Sequence, residues 1–281
     1  MKERIFRMKR FSVRHQRSAN KVGVDGVLIG AWAGVSATDR DVLDAGCGCG
    51  LIALMLAQRL EDIGATRVRI HAVDLDHEAV EEAAENIADS PWSDRIKPHC
   101  GDFRSELIQP DEMRGAEVSG GSDSEEGNRP GGMYDRIVSN PPFFHAGALN
   151  DGSARMLARH ADTLSPEALL IEAPRMLRPG GRLAYIAQAE SEEGLREIGE
   201  SEGLRLRRLT RVKGNPRAGV KRVMMEWERP ECRIVPGSNR LTSRDRDPDI
   251  LPEITELIIE HAPGDYTAQY IALCRDFYIK M

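Results

Sequence analysis

Long apolar runs are missing from this 281-residue chain: none approaches the roughly 18 to 20 residues a membrane helix needs. The first apolar residues sit among Lys and Arg without a signal-peptide core, so a soluble cytoplasmic protein with no membrane partner is expected. Aromatics are scarce, at 5%. The five cysteines, an odd number without paired spacing, fit a reducing compartment better than a disulfide framework. Seven histidines are scattered with no HxxxH or HxE pattern, and no metal site is expected. No internal repeat is visible. What remains, 41% hydrophobic and 30% charged residues, is enough for one full α/β domain with a modest extension.

A formal net charge of −6 argues at face value against a nucleic-acid partner. The sum hides an asymmetry. Residues 1–21 carry eight basic side chains against one acid, Glu3, and residues 203–225 carry eight more and no acid. With that +7 and +8 set aside, the rest of the chain stands at −21. Charge runs of this kind are either solvated faces or a footprint for phosphates.

From residue 41 onward, short β-rich runs alternate with helical ones, the pattern of a parallel sheet covered by helices. Seven strands are expected, at 41–45, 67–73, 95–100, 134–139, 182–187, 204–211 and 220–228. Helices are expected at 51–60, after Asp76, at 165–177 and at 191–201, the third of them stopped by Pro179-Gly180-Gly181. Residues 111–132, rich in Gly, Ser, Glu and Asp, read as a mobile insertion, because they cannot bury enough surface to offset ordering. Three parts are expected: a basic lead-in at 1–35, a domain at 36–229, and an extension at 230–281. In the extension only an apolar segment at 254–259 and a helix near 266–277 are legible.

Asp44-Ala-Gly46-Cys-Gly48-Cys-Gly50 falls between the first strand and its helix. Glycines there let the backbone turn sharply and let a ligand approach, and the helix N-terminus offers N–H groups. This is a nucleotide-type site at the carboxyl edge of the sheet. Gly48-x-Gly50-x-x-Ala53 also fits a dinucleotide fingerprint, and Asp74, ending the second strand, suits ribose hydroxyls in either reading. Asp44 separates the two: it would repel a pyrophosphate and attract an ammonium. Gly101-Asp102-Phe103, after the third strand, adds an acceptor for an adenine amine and a ring to pack on it. Cys47 and Cys49, with one residue between them and no completing ligands nearby, are better explained by small size than by metal binding.

Ser139-Asn140-Pro141-Pro142-Phe143 follows the fourth strand. An exocyclic or amide nitrogen is a poor nucleophile because its lone pair is delocalised. Two acceptors, the Asn140 side-chain oxygen and the Pro141 carbonyl, can hold both amine hydrogens and aim the lone pair. Prolines fix that carbonyl and offer no competing N–H, and Phe143 can stack on the planar group. Catalysis is then mostly positioning, with no strong general base.

The glycine loop resembles the first motif of class I S-adenosylmethionine (SAM)-dependent methyltransferases, and NPPF resembles the [DNS]-P-P-[YFW] motif of amino-methyltransferases acting on adenine N6, guanine N2 or glutamine amides. Lys21-Val-Gly-Val-Asp25-Gly-Val-Leu-Ile-Gly-Ala-Trp32 and the block from Asn86 to Ile96 resemble the methyltransferases that modify the adenine beside the valine-tRNA anticodon, over about residues 11–229. The resemblance implies a Rossmann-like class I fold, a seven-stranded mostly parallel sheet with helices on both faces. It implies SAM as cofactor, held by Asp44, Gly46, Gly48, Gly50, Asp74, Asp102 and Phe103. Amine positioning falls to Asn140, Pro141, Pro142 and Phe143, and Lys21 and Asp25 either order the site or pack the lead-in. The partner implied is tRNA, reached through basic residues in 1–21 and 203–225, since phosphate neutralisation is local and a loop base is easily splayed out. Guanine-N2 transfer on ribosomal RNA, glutamine-amide transfer on a protein, a non-catalytic SAM- or RNA-binding adaptor, and a dehydrogenase are the alternatives.

Overall fold

A computed structural model describes residues 5–18, 21–104, 132–142, 164–234, 241–243 and 251–281. The lead-in forms an antiparallel pair, β1 (Ile5–Arg7) and β2 (Ser12–Arg14), followed by helix α1 (Val24–Trp32). Then come β3 (Asp41–Ala45), α2 (Leu51–Asp62), β4 (Arg69–Asp74), α3 (His77–Ala88), β5 (Ile96–Cys100) and β6 (Tyr134–Ser139). After them follow α4 (Pro166–Met176), β7 (Leu177–Gln188), α5 (Glu192–Ser201), β8 (Arg205–Lys213) and β9 (Arg222–Glu228). The remainder holds the pair β10 (Cys232–Ile234) and β11 (Leu241–Ser243), β12 (Glu253–Ile258), the pair β13 (Glu260–Ala262) and β14 (Asp265–Tyr266), and α6 (Ala268–Cys274).

Helix starts follow local chemistry. Asp76 caps α3 by accepting from Glu78 N at 3.0 Å, and Ser165 caps α4 by accepting from Ala168 N at 3.1 Å. Strand residues alternate between two cores. Val42, Ile70, Ala72, Val138, Ala184 and Met224 face one side of the sheet, while Leu43, Val73, Ile137, Leu183, Tyr185 and Trp227 face the other. Helices therefore cover both faces, as a parallel sheet requires.

The sheet runs β12-β8-β9-β7-β6-β3-β4-β5, all parallel except β9. Strand order reverses between β3 and β6, and this is where a crevice opens at the carboxyl ends. All seven expected strands are in this sheet, and among the described residues an eighth extends it: β12, from the C-terminal extension, pairs parallel with β8 through Glu253↔Arg208 to Ile258↔Lys213. An edge strand buries little of itself, and β12 shows four exposed residues in six, so its apolar pattern was too weak to count as a strand of the main sheet.

Lead-in, sheet and extension share one core. Met8, Phe11, Val13, Leu28 and Ile29 pack with Leu54 and Met55 of α2 and with Tyr270, Cys274 and Phe277. Lys9 N donates to Phe277 O at 2.8 Å, and Gln58 Nε2 to Asp276 O at 3.0 Å. This sandwich explains why α2 is buried nearly all round, from Leu51 to Gln58, rather than along one stripe. The insertion at 111–132, apart from Gly132, lies outside the described residues.

Many basic residues that looked like an open footprint are paired. Arg208 reaches the fully buried Glu226 at 2.6 Å, lies 4.1 Å from the Trp32 ring centre and donates to Trp32 O. Arg211 pairs with Glu192, Lys213 with Glu256, and Arg222 with Asp25. In the lead-in, Arg10 pairs with Glu61 and Asp62, Arg14 with Asp89, and Arg17 with Glu85. Sequence counting could not see the acids opposite.

Candidate functional site

The crevice begins with the loop from β3 to α2. Gly46, Gly48 and Gly50 have φ of 72°, 52° and 81°, in the left-handed region where a Cβ is strained. At Gly46 a Cβ would also overlap the Leu164 side chain, so this position is closed to larger residues on two counts. The loop's own N–H groups are largely spent inside the protein. Gly46 N and Cys47 N donate to Val73 O at 2.8 and 3.0 Å, Gly48 N to Asp74 Oδ2 at 2.8 Å, and Gly50 N to Cys47 O at 2.8 Å. Ala53 N, in the first turn of α2, donates to Asp44 Oδ2 at 2.9 Å. A pyrophosphate would need these donors, so the dinucleotide fit of the glycines is not matched by their geometry.

Asp44 lies fully buried behind the loop rather than on the cleft wall. Burial pushes its carboxyl up to about 8; the Ala53 N–H pulls the other way, and the charge of Asp74 adds to the rise. Its Oδ1 has no partner among the described residues. Cys47 and Cys49 are buried beside it, and burial raises both thiols, that of Cys49 to about 12. They are packed, protonated side chains.

The cleft measures 170 Å³ and is lined by Gly46, Asp74, Leu75, Asp102, Phe103, Arg104, Asn140, Pro142 and Leu164, among others. Asp74 ends β4 and uses one oxygen on Gly48 N and the other on Asp76 N, at 3.0 Å. Asp102, next to β5, is held below the usual carboxylate range by its bonds to the Arg104 side chain, at 2.5 to 3.0 Å. Phe103 lines the cleft yet is 6% exposed and belongs to the core.

Opposite, Ser139 Oγ donates to Ala45 O at 2.7 Å and ties the end of β6 to the end of β3. Asn140 thereby stands across from Gly46, with its Oδ1 buried and without a partner among the described residues. Pro141 is buried and Pro142 lines the cleft; Phe143 lies outside the described residues. Lys21 donates to the carbonyls of Gln16 and Ser18, and Asp25 pairs with Arg222, so both pack the lead-in.

Sequence reading missed Gly26, Leu75, Arg104 and Leu164. A Cβ on Gly26, in the first turn of α1, would press on Leu51 Cδ2 at 3.2 Å, and Asn140 Nδ2 stands 3.8 Å from the same point. Leu75 is 57% exposed directly after Asp74, an apolar side chain at an open rim. An exposed leucine beside a strand-end acid was a readable signal; Leu164, brought in by the chain leading to α4, left none.

The residues fit a cationic sulfonium donor. Two oxygens are without a partner among the described residues, Asp44 Oδ1 behind the glycine loop and Asn140 Oδ1 on the cleft wall, and the near side chains of the cleft include Asp74 and Asp102. Such a site favours positive charge and hydrogen-bond donors.

Comparison with known proteins agrees. Residues 42–118 match a family model described as a methyltransferase domain. The chain is 36% identical to the tRNA1(Val) (adenine(37)-N6)-methyltransferase of Phocaeicola vulgatus over 98% of both chains, and 34% identical to that of Bacteroides fragilis strain YCH46 over the whole of both. Among solved structures, it resembles a predicted O-methyltransferase of Agrobacterium tumefaciens, with a TM-score of 0.55 and 18% identity over 90% of this chain and 96% of that one. It also resembles the M. jannaschii tRNA m1G37 methyltransferase, with a TM-score of 0.51 and 14% identity over 81% and 56%. These two likenesses speak to the fold, which is that of class I SAM-dependent methyltransferases, and near-complete similarity at more than 30% identity speaks to the family: the chain belongs to the tRNA1(Val) (adenine(37)-N6)-methyltransferases.

Proposed function

We propose that this protein transfers a methyl group from SAM to N6 of adenine 37 in a valine tRNA. One observation carries the reading: among the described residues Asn140 Oδ1 is buried without a partner at the end of β6, on the wall of the cleft that begins at Gly46. A buried carbonyl oxygen left open costs on the order of 1 to 3 kcal/mol, so it is kept for a donor that arrives from outside.

SAM supplies, when bound, an electrophilic methyl group. Asp74 and Asp102 would hold its ribose and adenine, Gly46, Gly48 and Gly50 would admit it closely, and Asp44, ionised by the approach of a cation, would balance its ammonium. Asn140 Oδ1 and the Pro141 carbonyl accept the two hydrogens of the target amine and orient its lone pair. Pro142 keeps the loop stiff, and Phe143 stacks on the base. No side chain here needs to act as a strong base, because the amine proton becomes acidic only after transfer and passes to solvent.

Phosphates are met at the same edge of the sheet. β9 is antiparallel to β7, with Arg222 opposite Gln188, so the turn from β8 to β9 stands at the carboxyl edge with Asn140. Arg217 and Lys221 on that turn have no ion-pair partner among the described residues, unlike most of the cluster at 203–225. We assign them, with exposed basic residues of the lead-in, to the tRNA backbone. The described cysteines are free thiols, which supports a cytoplasmic setting; no helix of the described residues is long and apolar enough to cross a membrane.

Unmodified valine tRNA incubated with the protein and labelled SAM, then digested to nucleosides, should yield N6-methyladenosine. Asn140→Ala should lower kcat by about 100-fold while SAM still binds. Methylated guanine, methylated glutamine in a protein, or full activity in Asn140→Ala would each overturn this assignment.

A further inference from the structure

Helix α3 carries two buried polar side chains, Glu82 and Asn86, one turn apart on the same face, and neither touches the cleft. Both are only 1% exposed, and both spend themselves on the backbone of the lead-in. Glu82 accepts from three successive N–H groups: Gln16 at 2.5 Å, Arg17 at 3.1 Å and Ser18 at 3.0 Å. Asn86 acts like one peptide unit of a neighbouring strand: its Oδ1 accepts from Arg14 N at 2.8 Å and its Nδ2 donates to Arg14 O at 2.9 Å. The same Nδ2 also donates to Cys49 O, at 2.9 Å, inside the glycine loop.

One amide therefore joins the lead-in to the glycine loop, whose Gly46 lines the cleft. Its neighbour on α3, Ala83, is the group that a Cβ on Gly50 would meet at 3.3 Å, so the helix lies against that loop. From Ser18 the chain runs through Lys21 to α1, whose Gly26 sits by Asn140. A purely structural pin would need no bond to the loop, and a loop-shaping residue would need none to β2. Asn86 has both, and a side-chain amide has only two hydrogens to give.

We infer that Asn86, seated with Glu82, is a positioning residue that couples the lead-in segment Arg14–Ser18 to the glycine loop, so that SAM binding and the ordering of the lead-in reinforce one another. The inference rests on the proposed SAM-dependent tRNA reaction. Ligand bound against the loop holds Cys49 O in place; Cys49 O holds the Asn86 amide; the amide holds β2 and the backbone amides that Glu82 collects. Order in the lead-in returns to the loop by the same bonds, because coupling between two sites is reciprocal.

Hydrogen exchange on the full-length protein tests the link directly. Adding SAM should slow exchange of the Gln16, Arg17 and Ser18 amides as well as of residues 46–50. In Asn86→Asp, which keeps the shape but sets a carboxylate against two carbonyl oxygens, protection should be confined to the loop. The KM for SAM should rise about tenfold, with kcat at saturating SAM within about twofold of wild type. A role in folding alone would instead lower the folded fraction and kcat and leave the KM for SAM unchanged. Wild-type exchange needs no variant: if SAM protects the loop but leaves residues 16–18 unchanged, the coupling is wrong while the methyltransferase reading stands. If the wild type neither binds SAM nor methylates tRNA, both fall.

Discussion

Asp44 was legible as an acid ahead of three glycines, and its sign of charge already favoured an ammonium over a pyrophosphate. Its depth was not legible. Complete burial, which no linear pattern reports, raises its carboxyl from 3.8 to about 8 and makes ionisation a cost to the empty protein. With a folded value above the unfolded one, this group's contribution to stability is full below about pH 4 and is lost as pH rises through 8. Asp44→Asn should therefore melt above the wild type without SAM, by a margin that grows from pH 4 to pH 8 and reaches a few kcal/mol. The same variant should bind SAM at least tenfold more weakly. Thermal melts across pH and calorimetric titration check both, and a pH-independent margin would show that the buried carboxylate is not the cause. Asn140 was legible too, from its place in NPPF, whereas Gly26 and Leu164 became site residues only when α1 and the approach to α4 folded over it.

At the scale of elements, the seven strands and the helices of the main sheet followed from alternation, caps and stop signals. The charge of β8 and β9 did not follow in the same way. A run of eight basic residues reads as one surface, yet a strand sends successive side chains to opposite faces, and its partners decide which are met by acids. Arg208 turned toward Glu226 and Trp32, while Arg217 and Lys221 stayed on the turn. Two outcomes separate the roles. Arg208→Ala leaves the fully buried Glu226, among the described residues, with only the Arg182 ion pair at 3.3 Å and should cost about 3 to 5 kcal/mol of stability, read by chemical denaturation. The double change Arg217→Ala and Lys221→Ala should leave stability within about 0.5 kcal/mol. It should weaken tRNA binding and reduce the slope of log affinity against log salt by about 2. Equal slopes for double variant and wild type would remove the turn from the tRNA surface.

The whole molecule is held together by a core that three sequence segments share. Phe277, 2% exposed, belongs to the extension but packs in the cluster with Met8, Phe11 and α2. Phe277→Ala should cost about 3 to 5 kcal/mol, as for a central core phenylalanine, and should loosen the lead-in in the same transition. A loss below about 1 kcal/mol, or a separate early transition for residues 251–281, would mean that the extension is a docked appendage. By itself the sequence determined the class of protein, a SAM-dependent methyltransferase, and where its candidate residues fall: glycines, carboxylates and NPPF are local signals, because turns, strand ends and rigid acceptors are set by residues adjacent in the chain. Only the tertiary structure decided the eighth strand, the burial of Asp44, the pairing of the basic residues and the Asn86 link. Each of these depends on atoms from segments distant in the chain, such as Arg14 and Cys49 around Asn86, and no periodicity within one segment records what another places against it.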